Sequence, residues 1–154
     1  MSLRERLNDQ LKDSMRAKDQ KRVSTLRMVL AALKDKDIAA RTETSREGVP
    51  DDEVLSLLAK MIKQREEAAT AFESGGRPEL AASEREEIAI IREFMPQQMS
   101  AEESRAAAQA VITELGAASM KDMGRVMAAL KERHAGQMDF AKASGMVKDL
   151  LSGK

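Results

Sequence analysis

Ser2-Leu3-Arg4-Glu5-Arg6-Leu7-Asn8-Asp9-Gln10-Leu11-Lys12-Asp13-Ser14-Met15 sets Leu3, Leu7, Leu11 and Met15 at a spacing of four, with charges between them. Apolar residues one helical turn apart share a face, so this stretch reads as an amphipathic helix. Ser2 with Glu5 three residues on is a capping box in front of it. The pattern predicts a helix over 2–18. It decides the class because it recurs. Val23, Leu26, Leu30 and Leu33 keep a 3, 4, 3 rhythm over 20–41, behind Asp19 as a cap. Residues 42–50 carry turn formers and no apolar period. Pro50-Asp51-Asp52-Glu53 opens a third helix, with proline at its first position and acids at the positive end of the dipole. Val54, Leu58, Met61, Arg65, Ala68 and Phe72 form its stripe, and Gly75-Gly76 stops it. Pro78 begins a fourth helix, with Leu80, Ile88, Ile91 and Met95 expected to face inward.

Met95-Pro96-Gln97-Gln98-Met99 interrupts this series, because Pro96 lacks a donor and disfavours helix at Met95. Ser100 and Glu103 then form another capping box. Three shorter helices are predicted beyond it. One covers 101–115 (Val111, Ile112, Leu115) and closes at Gly116. The next covers 120–134 (Met120, Met123, Met127, Leu130) behind Ser119 and Asp122. The last covers 139–152 (Phe140, Val147, Leu150, Leu151) behind Asp139. No window alternates β-formers with period two. The expected fold is all-α: an N-terminal four-helix region at 1–95, a proline-containing hinge at 96–99, and a small three-helix domain at 100–154.

The composition closes off several chemistries. The 154 residues include no Cys, Trp or Tyr, three Phe and one His, and 26 basic residues balance 26 acidic ones. Without cysteine there is no disulfide framework, thiolate zinc site or cysteine nucleophile. Few aromatics argue against modules that stack bases on rings. The start is charged from Arg4, unlike a signal peptide, and no 18 apolar residues run together, so no membrane association is expected. The absence of cysteine is compatible with the cytosol, and a cytoplasmic protein is the default expectation.

The zero net charge hides segregation. Residues 16–34 hold Arg16, Lys18, Lys21, Arg22, Arg27 and Lys34 against Asp19 alone. Residues 66–93 hold eight Glu and three Arg, and 119–154 hold seven basic and four acidic residues. The stripe Lys18, Lys21, Arg22 and Arg27 either pairs with the glutamate-rich fourth helix or is open to phosphate. In the tail, Lys121, Arg125, Lys131, Arg133 and Lys142 are the candidate phosphate contacts. Lys121 and Arg125 are expected on one face, and the helix starts at Ser119 and Asp139 are expected to offer free N–H groups. His134, the only imidazole, lies at a helix end, where the dipole favours a cation. Glu66-Glu67 and Glu84, Glu86 and Glu87 lack the Glu-x-x-His partners of a helical carboxylate metal site, so no metal is expected. No phosphate-cradling glycine motif occurs, so no cofactor is expected either.

Several motifs, in order, resemble the GatB/YqeY family. They are Leu7-Asn8, Leu11-Lys12, Ser14-Met15 and Ala17-Lys18-Asp19, then Arg22, Ser24-Thr25-Leu26-Arg27-Met28 and Ile62-Lys63-Gln64-Arg65. Phe72, Gly76-Arg77 and Leu80-Ala81 follow, ahead of a Glu-rich helix. Phe94-Met95-Pro96-Gln97-Gln98-Met99-Ser100 is similar to the family's aromatic-Leu-Pro-x-Gln-Leu-Ser link, with Phe-Met where Tyr-Leu is common. Met120-Lys121-Asp122-Met123-Gly124-Arg125-Val126-Met127, Gly136 and Asp139 complete the set. The resemblance implies a two-domain, all-helical, bacterial cytoplasmic protein. Its tail would be similar to that of the B subunit of the amidotransferase that amidates Glu-tRNA(Gln) or Asp-tRNA(Asn). A similar module is appended to some glutaminyl-tRNA synthetases, and in these settings it contacts tRNA. The implied activity is carbon–nitrogen ligation with glutamine as amido-N-donor. That reaction needs an ATP- and magnesium-binding body and a glutaminase, and no residue set here matches either. The expectation is a translation-linked, tRNA-binding accessory chain without turnover of its own. The alternative is a protein-interaction module that docks onto a tRNA synthetase or amidotransferase through an apolar tail face carrying Met123 and Met127.

Overall fold

Helix α1 (Leu3–Arg16) starts at its capping box. The Glu5 N–H donates to the Ser2 hydroxyl, and the Ser2 N–H donates to the Glu5 carboxylate. The computed structural model describes residues 1–41 and 48–153. Six further α-helices follow: α2 (Gln20–Ala39), α3 (Asp51–Ser74), α4 (Pro78–Arg92), α5 (Ala101–Leu115), α6 (Met123–Arg133) and α7 (Phe140–Leu151). Among the described residues there is no strand, and the fold class is all-α. Of the turn-rich segment 42–50, residues 42–47 lie outside the described residues. Pro50 is the cap of α3, not its first helical residue, and the helix begins at Asp51.

The chain divides into two compact units, Met1–Met95 and Pro96–Lys154. In the first, α1 packs on α2, α3 on α4, and contacts of α2 with α4 and α1 with α3 close the group. Leu7, Leu26, Leu58 and Ile91, one from each helix, are fully buried. Each such side chain contributes about 1.5–3 kcal/mol by leaving water, so the core ties all four helices together.

The inward faces differ from the sequence expectation at particular residues. Met15 and Leu80 are exposed, whereas Ser14 and Ala81 are buried. A row spaced by four turns about 40° per step away from its face, whereas eleven residues return to within about 20°. From Leu3, the face therefore returns at Ser14 and not at Met15. Along α3 the same drift buries Ile62 and Ala69 and leaves Phe72 at the margin.

Three helices end in the same way. After α3 and α5, Gly76 and Gly116 take φ of 74° and 64°. The next N–H reaches back five residues, Arg77 to the Phe72 carbonyl and Ala117 to the Ile112 carbonyl. At the end of α1 the residue in that position is Lys18, with φ 58°, and Asp19 N–H donates to the Ser14 carbonyl.

A charged clasp fixes the lead-in to α3. Arg4 donates to both Asp37 oxygens at 2.6 and 3.0 Å and to the Val49 carbonyl at 3.1 Å. Val49 N–H donates to Asp37 at 2.9 Å, and Leu3 N–H to the Asp51 carboxylate at 3.3 Å. The Arg4 hydrogen bond holds the Asp37 carboxyl below the usual range. Stability from this clasp is therefore complete at neutral pH and is lost as pH falls through that lowered value. Asp37→Ala strands a part-buried guanidinium and an N–H. It is expected to cost about 1–3 kcal/mol, read as a lower urea midpoint with unchanged slope.

The second unit buries Ala108, Val111, Val126, Leu130, Ala143 and Val147. The helix expected over 120–134 is broken. Met120–Asp122 is a single 3-10 turn, α6 begins at Met123, and Met120 is exposed. The Asp122 carboxylate turns back to accept from the Ala118 and Ser119 N–H groups, which fixes the tight turn. Gln98 donates to the Gly136 carbonyl at 2.5 Å and Met99 N–H to the Gln137 carbonyl at 2.8 Å. Two residues of the 96–99 segment are thereby tied to the loop between α6 and α7.

Candidate nucleic-acid interface

The five candidate cations of the tail separate into two groups. Arg133, at the end of α6, makes a two-pronged contact with Glu114 of α5 at 2.6 and 3.0 Å. The hydrogen bonds pull the Glu114 carboxyl below and push the Arg133 guanidinium above their ordinary values. Arg125 donates to Asp122 at 2.9 Å. That carboxyl is lowered by its backbone hydrogen bond from Ala118 and then by Arg125. Lys121, Lys131 and Lys142 are exposed and have no ion pair among the described residues. Lys121 sits in the 3-10 turn and Arg125 in α6, so the two do not belong to one continuous α-helix as expected.

The helix starts do not offer free donors in the way the sequence suggested. Lys121 N–H donates to the Ser119 hydroxyl. Ala141 and Lys142 N–H donate to the Asp139 carboxylate at 2.9 and 3.4 Å. Each cap occupies its own helix end, and a capping carboxylate repels an incoming phosphate. The cationic surface of the tail is therefore carried by lysine side chains rather than by helix ends.

The second-helix stripe is largely engaged within the first unit. Lys21 donates to Ser83 at 2.6 Å and stands 3.7 Å from Glu87. Arg22 pairs with Glu93 and donates to Ser14 and Gln10. Lys18 takes the left-handed turn position, and Arg27 is exposed. Pairing with the acidic fourth helix is thus the geometry at Lys21, and Glu93 just beyond that helix serves Arg22.

Other candidates find structural surroundings. His134 caps α6, with Nδ1 3.3 Å from Gln137 Oε1. Glu66 pairs with Arg92 at 2.6 Å. Among the described residues no three His, Asp or Glu side chains gather in a way that could hold a metal ion. No described helix is long and apolar enough to cross a membrane. Met123 and Met127, expected as docking contacts, are half-buried and pack with part of their surface against the second core. A feature absent from the sequence reading is a cleft of about 240 Å³ between the starts of α5 and α7, lined among others by Met99, Ser104, Met138, Lys142 and Met146. Its lining comes from two stretches far apart in sequence, 98–104 and 138–146, so no local spacing announces it.

Comparison with known proteins places the chain. Over 91 residues it is 32% identical to "Altered inheritance of mitochondria protein 41, mitochondrial" of Saccharomyces cerevisiae, covering 59% of this chain and 47% of that protein. Its counterpart in Eremothecium gossypii is 33% identical over 111 residues, 71% of this chain and 58% of that protein. An uncharacterized protein of Schizosaccharomyces pombe is 31% identical over 94 residues, 61% of this chain and 72% of that protein. The aligned part thus spans about half the length of the Saccharomyces relative. The family described as Yqey-like protein matches residues 4–151, nearly the whole chain, and the chain belongs to that family.

Proposed function

We infer that this chain is a tRNA-binding accessory protein, related to the tail of glutamine-dependent aminoacyl-tRNA amidotransferase and working in the cytoplasm. The observation that carries the reading is the exposed set Lys121, Lys131 and Lys142, left without ion pairs while Arg125 and Arg133 are neutralised by Asp122 and Glu114. Flexible, fully hydrated ammonium groups suit phosphate as point charges. With few aromatics to stack on, contact runs to the backbone and shape of RNA rather than to its bases. The carbon–nitrogen ligase association belongs to the assembly the chain would serve. Residues 1–95 and 100–154 act as a four-helix and a three-helix domain about the proline-containing segment 96–99, the second domain carrying the RNA contacts.

The test is retention of deacylated tRNA on the immobilised chain at low salt, alongside a glutamine-dependent amidation assay with the chain alone. Binding without turnover is expected. Absence of binding at low salt contradicts the reading, and turnover by the chain alone contradicts the accessory role.

A second reading, docking onto a tRNA synthetase or amidotransferase, is supported by the methionine-lined cleft between α5 and α7. Methionine adapts to varied apolar partners. Polar replacement of Met146 would weaken that docking and leave tRNA retention unchanged.

A further inference from the structure

Between α2, α3 and α4 of the first unit, the helices meet over charge as well as apolar surface. The Glu87 carboxylate stands 3.3 Å from Arg65 Nε and 3.7 Å from Lys21 Nζ. The Arg65 and Glu87 side chains are only 11% and 19% exposed. Lys21 also donates to Ser83, and Arg65 donates to the Met61 carbonyl and Met28 sulfur. Glu84 lies one turn before Glu87 on the same side of α4 and has no ion pair among the described residues. Both cations pair with Glu87, and Glu84 sits beside that carboxylate with the same two cations nearby.

The cluster also has unspent hydrogen-bonding capacity. Lys21, Thr25 and Met28 share one face of α2 by their spacing. The Thr25 hydroxyl is fully buried without a hydrogen-bond partner, and Arg65 Nε makes no aligned hydrogen bond. Buried polar groups left half-satisfied keep alternative arrangements close in energy.

We propose that Lys21, Arg65, Glu84 and Glu87 form a proton-operated latch that sets how tightly α4 is held on α2 and α3. In the closed form Glu84 is a neutral acid whose O–H donates to the Glu87 carboxylate, and Glu87 holds Lys21 and Arg65. Loss of that proton places two carboxylates side by side in a partly dry site, and α4 loosens. Burial, reinforced by the neighbouring Glu87 charge, pushes the Glu84 carboxyl above its ordinary value. The charged and polar groups facing it are Glu87 and Ser83 of α4, Arg65 of α3 and Lys21 of α2. A raised value in the folded state adds stability at low pH that is lost as pH rises through it. The latch is therefore tightest at and below the ordinary carboxylate range and loosens as pH rises through the raised value.

Thermal unfolding and amide exchange of the full chain between about pH 4 and 8, with Glu84→Gln and Glu87→Gln, test this. Glu84→Gln keeps a donor and removes the ionisation. It should raise Tm at about pH 7.5 by about 2–4 °C, slow exchange of α4 amides, and flatten the pH profile. Glu87→Gln should lower Tm by removing the anion that both cations share. The proposal is overturned if Glu84→Gln lowers Tm at the upper pH or leaves the wild-type profile intact. If Glu87→Gln does not fold, Glu84→Gln alone decides.

Discussion

Leu130→Ala is expected to unfold the second unit while leaving the first intact. Leu130 is fully buried in α6 and is the largest side chain at the centre of the second core. The other fully buried residues of this core are small: Ala108, Val111, Val126, Ala143 and Val147. Removing a buried leucine side chain costs about 2–5 kcal/mol, rising with the volume of the cavity that cannot collapse. A unit of about 60 residues has about 3–9 kcal/mol in total. The cost therefore approaches the whole. Leu58→Ala in the first unit has a similar local cost, but it is drawn from a larger core supplied by four helices. Amide exchange should show protection lost throughout α5, α6 and α7 in Leu130→Ala and retained in α1 to α4. Leu130→Met conserves volume and should cost less than about 1.5 kcal/mol. Uniform loss of protection in both units would show that they do not fold separately.

The second large effect is on binding. Replacing Lys121, Lys131 and Lys142 together with glutamine should lower tRNA affinity by about a hundredfold or more at 0.1 M salt. Each phosphate contact adds about 0.7–0.9 to the salt slope, which corresponds to about five- to eightfold per contact between 1 M and 0.1 M. The three side chains are exposed, so the fold should be unaffected within about 0.5 kcal/mol. Replacing Arg125 and Arg133 together should matter much less to binding, because Asp122 and Glu114 already neutralise them. Equal losses from the two sets would mean that the ion pairs open on binding.

The contrast between lysines and arginines marks where the sequence stops being informative. The helices are legible because each start carries its own signal within four residues. Ser2 with Glu5 and Ser100 with Glu103 form their boxes as the spacing predicts. Asp19 caps α2 by accepting from the Arg22 N–H. The break after Asp122 was not legible, because the same Ser119-to-Asp122 spacing suits both a long helix and a 3-10 turn followed by a new one. Ion pairing was less legible still. Arg133 meets a glutamate nineteen residues away, and Arg22 meets one seventy-one residues away. Those distances close only when the helices pack, so counting charges along the chain overstates the cationic surface of the tail. The orientation of the long side rows failed for a geometric reason: four-residue spacing drifts off the face, so Met15 and Leu80 face out.

The central claim is that the exposed lysines of the second unit bind the phosphate backbone of tRNA. It is tested most directly by the affinity of the full chain for tRNA, measured by fluorescence titration from about 0.05 to 0.3 M salt. A straight log–log plot with a slope of about −2 to −3 is expected, the value for three to four phosphate contacts, and the triple lysine variant should flatten it. A salt-independent affinity, or a slope that survives replacement of Lys121, Lys131 and Lys142, would contradict it.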